Sequence, residues 1–298
     1  MPSFSIVVPS RDRPAKLATC LAALRALDYP RERYEVIVVD DGSREDLEPV
    51  IRAAADDFAV RLERQEQKGP AGARNHGARS ARGDYLAFTD DDCRPRPSWL
   101  RELATRVDGP EVGVGGRVVA GHEENAYTVM SHKVLYLVYD YYNKDPEAAR
   151  FFASNNLMLP AETFRLLGGF DERFTTSEDR DLCDRWIASG RTLRYAPQAV
   201  VAHDRPTTLT GFATQFFRYG RGAVRFHAAR RARGHEGLLA DSKFHLELPA
   251  KVGPTIAASD APGRISALAL IGLWQVANAA GYVAERMTQL LRRRSSRT

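Results

Sequence analysis

Cysteine is scarce. The 298 residues hold three, Cys20, Cys93 and Cys183, an odd number with no C-x-x-C pair. This excludes a disulfide scaffold and a zinc knuckle and fits a reducing compartment. No segment repeats and none is of low complexity, so a solenoid and a tethered array are both excluded. No basic stretch precedes the first apolar run, Phe4-Ser5-Ile6-Val7-Val8, and a chain without a signal peptide is expected. Charged residues make up 27% of the chain and hydrophobic ones 44%, which argues against wholesale disorder. Acidic residues are sparse at one end only. From Pro206 onward 14 Lys and Arg face 5 Asp and Glu, whereas residues 1–205 carry 29 against 33. A mildly acidic body with a basic tail predicts an anionic surface or partner at one end.

What is present is an alternation of strand and helix. Apolar β-branched runs at 4–9, 36–39, 60–63 and 85–88 are separated by helical spacing such as Leu17, Cys20, Leu21 and Leu24. Ser43-x-x-Asp46 reads as a capping box, and Pro70 as the first-turn proline of a helix over 70–80. The pattern predicts an α/β protein with a mostly parallel central sheet flanked by helices on both faces. Beyond Pro97, strands are expected over 112–119 and 152–159, with a final strand ending at 200–202. Helices are expected over 127–142 and 178–189, the last closed by Gly190.

Strand ends carry the candidate chemistry, because ligands in such sheets bind outside the carboxyl ends of strands. Tyr85-Leu86-Ala87-Phe88 runs into Asp90-Asp91-Asp92. An extended chain would send Asp90 and Asp92 to one side and Asp91 to the other. Crowded carboxylates repel unless a cation sits between them, and oxygen ligands suit Mg²⁺ or Mn²⁺, completed by phosphate. The alternative is a solvated acidic turn capping the helix near Trp99. Asp40 and Asp41 end another strand, where they could accept from a base or ribose or simply build an Asp-Gly turn. Gly69-Pro70-Ala71-Gly72 opens a helix whose N-terminus favours anions, with Arg74 one turn on. Thr176-Ser177-Glu178-Asp179 is either a capping box or a partly desolvated carboxylate beside Leu182, Cys183 and Trp186, fit to act as a base. His203 follows an apolar strand and is a third metal ligand, a donor to phosphate, or structural. Asn155 and Asn156 orient sugar hydroxyls or satisfy backbone.

Taken together, these motifs resemble family-2 glycosyltransferases, the inverting enzymes of GT-A fold. The resemblance runs in order through Val7-Val8-Pro9-Ser10, Val39-Asp40-Asp41-Gly42-Ser43, Gly69 to Asn75, Gly83-Asp84-Tyr85 to Asp92, Asn155-Asn156-Leu157, Gly168-Gly169-Phe170-Asp171, Glu178-Asp179 and His203. It implies a GT-A catalytic domain over 1–205, with a Rossmann-like nucleotide-sugar half (1–110) and an acceptor-side half (111–205), followed by a basic helical region over 206–298. Pro9, Ser10, Arg11, Asp40, Asp41, Arg74, Asp90 and Asp91 would bind the donor nucleotide. Asp92, Asp90 and His203 would hold Mn²⁺ or Mg²⁺, although Asp91 stands where the family usually carries a small residue. Asp179, with Glu178 beside it, would be the base, and Asn155, Asn156 and Trp186 would face the acceptor. The implied reaction moves a sugar from a nucleotide-diphosphate donor, UDP the first candidate, to a hydroxyl of a glycan, lipid-linked or small-molecule acceptor.

A sugar-1-phosphate nucleotidyltransferase is the rival enzyme, but it would want a glycine-rich loop where this chain has Pro9-Ser10-Arg11-Asp12-Arg13-Pro14. A basic nucleic-acid-binding module is disfavoured because the basic residues and the strand-end carboxylates lie in separate regions.

Ile265 to Ala284 has no charged residue, the length of a membrane span. A span would set Arg292-Arg293-Arg294 across the membrane from the catalytic body, against the positive-inside rule. The reading favours a helix packed on the body, on a second subunit or in the membrane interface. The basic aromatic stretch from Phe216 to Arg233 would face anionic lipid, a phosphate-bearing acceptor, or only solvent. A cytoplasmic protein, peripheral on the inner face of the membrane, is the expected location.

Overall fold

The computed structural model describes residues 1–55, 59–121, 125–205, 207–234, 244, 247 and 261–295. The chain forms two compact units, one of residues 1–121 and 142–205, the other of 122–141 and 206–298. Residues 122–141 thus group with the tail and not with the acceptor-side half.

The first unit is built on strands β1 (Phe4–Ser10), β2 (Tyr34–Asp41), β3 (Val60–Gln65), β4 (Tyr85–Phe88), β5 (Cys93–Pro95), β6 (Val112–Ala120), β7 (Leu157–Pro160) and β8 (Thr192–His203). Among the described residues they make one sheet in the order β3-β2-β1-β4-β7-β6-β8-β5. The first four pair in parallel, as their strand–helix alternation requires, and β6 pairs with β8 in parallel. β7 runs antiparallel between β4 and β6, and β5 antiparallel to β8. The sheet is the expected mostly parallel one, with antiparallel strands in its second half.

Helices α1 (Pro14–Arg25) and α2 (Glu48–Ala54) cover one face, where Ile6, Val8, Val36 and Val38 meet Leu17, Leu21 and Leu24. The alternate residues Val7 and Val39 face α3 (Pro70–Ser80), and Gly77 leaves room for them, since a Cβ there would sit 2.6 Å from Val7. α4 (Trp99–Ala104), α6 (Ala161–Leu166) and α7 (Glu178–Ala188) complete this unit.

Two local expectations give way to tertiary demands. The expected strand over 152–159 begins only at Leu157, because Ser154–Asn156 forms a 3-10 turn closed by the Asn156 amide donating to the Ala153 carbonyl. The box at Ser43 does not cap α2, which starts at Glu48. Ser43 instead accepts from the Asp12 amide, and Asp46 accepts from the Glu48 amide. The final strand ends at His203 as expected; it is twelve residues long, and β6 pairs with it on both sides of a bulge at residues 197–199.

The second unit contains α5 (Ala126–Tyr142), α8 (Leu209–Ala232) and α9 (Ala261–Ser295). Met130, Val134, Phe212, Phe216, Phe244, Leu270 and Trp274 form its core. α8 and α9 approach at backbone distance: a Cβ on Gly220 would lie 1.9 Å from the Asn278 carbonyl, and one on Gly281 as close to that of Phe217. Glu285 is buried between Arg221 and Arg225 of α8, with oxygens 2.7 and 3.3 Å from their nitrogens. Of the anticipated helical tail, residues 235–243, 245, 246 and 248–260 lie outside the described residues.

Candidate active site

β4 stops pairing at Phe88, opposite Val7, and a turn follows in which the Cys93 amide donates to the Asp90 carbonyl at 3.0 Å. The triplet is therefore not extended, and the expected alternation of its side chains is corrected. Asp91 and Asp92 face the start of α1 together, and Asp90 faces α3. They are not a capping turn either, for α4 begins at Trp99 with no side-chain cap.

The Arg13 guanidinium bridges the pair, 3.1 Å from Asp91 and 3.3 Å from Asp92. The Lys16 ammonium stands 3.4 Å from Asp92, as does the His203 imidazole at 3.3 Å. His203 arrives there because β5 pairs with β8 in the register Cys93 to His203. Burial pushes Asp92 up, but the bond from His203 and the charges of Lys16 and Arg13 outweigh it and hold this carboxyl well below the usual range. Asp91 goes the other way, to about 6, because burial exceeds the help it receives from Arg13 and Ser10. Arg13 and Lys16 were not singled out by their residue types. The available signal was their spacing of three across the first turn of a helix that directly follows the first strand.

Asp92, Cys93 and His203 present ligand atoms within 4.8 Å of one another. Burial, then the charges of Asp90 and Asp92, raise the Cys93 thiol well above its ordinary value. The carboxylate and the imidazole fit Mn²⁺, and the carboxylate oxygen fits Mg²⁺, neither ion favouring a thiol. Asp90 is held by Arg74, whose Nη2 donates at 2.6 Å.

Arg74 is only 3% exposed, and its Nη1 donates to Glu178 at 3.2 Å. Burial pulls its pKa down, but Asp90 and Glu178 more than offset that. Both arms of the fork hold protein carboxylates. Phe170 lies 5.6 Å beneath the guanidinium. Gly168 and Gly169, at φ of 79° and 67°, turn the chain so that the Phe170 backbone exchanges hydrogen bonds with the Asn75 side chain. Two motifs 95 residues apart are thereby bolted together.

Asp179 is not a cap. The residue before α7 is Ser177, left-handed at φ 71°, and no side chain caps the helix. Asp179 accepts from the Arg180 amide at 2.7 Å and lies beside the Ser154 amide. Burial first, then the neighbouring Glu178 charge, raise it to about 7, with Arg74 opposing.

The remaining candidates divide. Asp41 holds a loop, accepting from Gln65 and from the Lys68 and Gly69 amides. Asp40 accepts from the Ser43 amide and turns its second oxygen toward Arg64, 3.9 Å away. Ser10 is buried and donates to Asp91 at 2.8 Å, Pro9 pairs in β1 opposite Val39, and Arg11 lies 3.8 Å from Asp12. Asn156 is wholly buried. It donates to the Arg117 and Ala199 carbonyls and accepts from the Trp99 indole, so it is structural and does not face an acceptor. Trp186 is 0% exposed and donates to the Thr192 carbonyl, so its acceptor role is likewise corrected. Asn155 keeps a buried carbonyl oxygen with no partner, its amide 3.7 Å from the Cys93 sulfur.

Strand-end carboxylates and a cation pair thus stand beside a mostly parallel sheet. The chain matches Glycosyl transferase family 2 over residues 5–167, more than half its length, and it belongs to that family. It is 32% identical over 231 residues to the pre-mycofactocin glycosyltransferase of Mycobacterium tuberculosis, a match covering 74% of this chain and 46% of that protein. The chain thus spans about half the length of that relative. Its fold is similar to the mannosyltransferase PcManGT from Pyrobaculum calidifontis in complex with GDP-Man and Mn²⁺, at a TM-score of 0.71 and 21% identity, covering 97% and 87% of the two chains. It is also similar to TarS 1-349 of S. aureus in complex with UDP-GlcNAc, at 0.57 and 14%, covering 97% and 92%. The family match sets aside the nucleotidyltransferase reading.

Proposed function

We propose that this chain transfers a glycosyl group from a nucleotide-diphosphate sugar to an acceptor hydroxyl, with inversion, in a reaction that depends on a divalent cation. The observation that carries the proposal is Asp179, a carboxylate at about 7 whose neighbour Glu178 is tied through Arg74 to Asp90 of the strand-end triplet. A base of that pKa accepts a hydroxyl proton near neutral pH.

The charge on the departing nucleoside diphosphate is met by Arg13 and Lys16, which release Asp92 as they turn to phosphate. Asp92 and His203 would hold Mn²⁺ or Mg²⁺, which supplies Lewis-acid neutralisation of the diphosphate. Asp179 takes the acceptor proton while Arg74 keeps Glu178 from competing for it. Asp40 keeps an oxygen for the ribose or base. One displacement at the anomeric carbon inverts it, and no covalent intermediate on the protein is required. Residues 1–205, less the segment 122–141, would carry this chemistry. The donors seen with similar folds, GDP-Man and UDP-GlcNAc, make UDP- and GDP-sugars the first to try. Three buried free thiols suit a cytoplasmic site.

The experiment is a thermal-shift screen of UDP-, GDP- and dTDP-sugars with and without Mn²⁺, followed by transfer assays and anomeric analysis of the product. A shift that needs metal and nucleotide together is expected. No shift with any donor, or a product of retained configuration, would refute the proposal.

A further inference from the structure

The second unit carries an apolar surface to which the proposed function assigns no role. Along α9 one face is buried: Leu270, Trp274, Ala277, Gly281 and Glu285 pack toward α8. At about 100° per residue, Ile265, Leu268, Val276, Val283, Met287 and Leu290 fall on the opposite side. They are not covered, and each is between 54% and 71% exposed. Isolated exposed apolar residues are ordinary, but a continuous stripe of them marks an interaction surface. Over Ile265–Arg292 the helix is long and apolar enough to cross a membrane by length and composition, with a mean hydropathy of 1.4.

We propose that this stripe docks the protein on an anionic membrane, α9 lying along the lipid–water interface. Charge chooses the occupant. Arg264 precedes the stripe, exposed Arg286 and Arg292 stand at its far end, and Arg293, Arg294 and Arg297 follow in sequence. Fourteen basic residues against five acidic ones from Pro206 onward complement anionic headgroups, whereas two copies meeting here would set like charges together. Glu285, an acidic residue that could answer them, is already held by Arg221 and Arg225.

Packing opposes a span. The Gly220 and Gly281 contacts fasten α9 to α8, and α8 carries Arg218, Arg221 and Arg225 along its length. A spanning α9 would leave α8 or draw those guanidinium groups into hydrocarbon, which resists them. Lying flat satisfies both faces of the helix at once.

The test is flotation of the full chain with phosphatidylcholine vesicles, with and without one third phosphatidylglycerol. Binding at least tenfold tighter to the anionic vesicles is expected, weakened by salt and reversed by alkaline carbonate. Val276→Glu with Val283→Glu should cut it at least tenfold and leave the melting temperature unchanged. Should that pair not fold, Met287→Gln with Leu290→Gln makes the same test. Equal binding to neutral vesicles, or no effect of the substitutions, overturns the proposal. Retention through carbonate would do so in favour of a span. A dimer in light scattering that the substitutions dissociate, without vesicle binding, would assign the stripe to a second copy.

Discussion

Arg74 on α3 and Glu178 on α7, 104 residues apart in sequence, are joined by a hydrogen bond of 3.2 Å. Because the other arm of the same guanidinium holds Asp90, this contact links the triplet to the residue next to Asp179. The positions of Asp90 and Asp179 are thus coupled through one buried cation.

Arg74→Ala leaves two largely enclosed carboxylates without their partner. Unfolding in urea should show a loss on the order of 3 kcal/mol. Arg74→Lys should restore part of the stability but little of the transfer rate, since an ammonium cannot span both acceptors in a planar fork.

Asp179→Asn should retain donor binding by calorimetry and lose about 10²- to 10⁴-fold in turnover. In the native enzyme the rate should climb as pH rises through about 7, when Asp179 ionises. Stability runs the other way. Because folding raises this group above its ordinary 3.8, its contribution is complete below that value and is lost as pH rises to about 7. The melting temperature of Asp179→Asn relative to wild type should therefore increase from pH 4 to pH 7 and then level off. A flat difference would mean that Asp179 is not shifted.

Asp92→Asn should abolish the thermal shift that needs Mn²⁺ and nucleotide together, and EDTA should do the same to the native chain. His203→Ala should keep the shift but require roughly tenfold more Mn²⁺, because one of two donors remains.

Lys16→Met should weaken UDP about tenfold and leave uridine unaffected, the signature of a charged contact to phosphate. Equal losses for both ligands would assign Lys16 to holding Asp92 and nothing more.

Gly220→Val would drive a side chain into the Asn278 carbonyl, where a Cβ alone would lie 1.9 Å away. Separation of α8 from α9 should cost about 1–3 kcal/mol in thermal unfolding. Donor binding by the first unit should be unchanged.

Strand–helix alternation, the apolar cores of β1, β2 and β4, the proline that starts α3 and the glycine that ends α7 were all legible in the chain, because each is governed by contacts within a few residues. So was the gathering of carboxylates at strand ends, since parallel strands place their carboxyl ends on one edge of the sheet. The use of each side chain was not legible. Asp41 and Asp40 are the same residue type at the end of one strand, and only the loop through Lys68 and Gly69 claims the first. Asn155 and Asn156 are neighbours, yet Trp99 and two carbonyls far along the chain take up Asn156.

The local sequence determined which segments extend, which coil and where charge collects, because hydrophobic period and turn chemistry act at short range. The tertiary structure alone decided which carboxylate meets which cation. Asp92 met Arg13, Lys16 and His203 only once a strand turn and the β5–β8 register had closed the distance. A hydrogen bond depends on a few ångströms, and separation along the chain does not encode that distance.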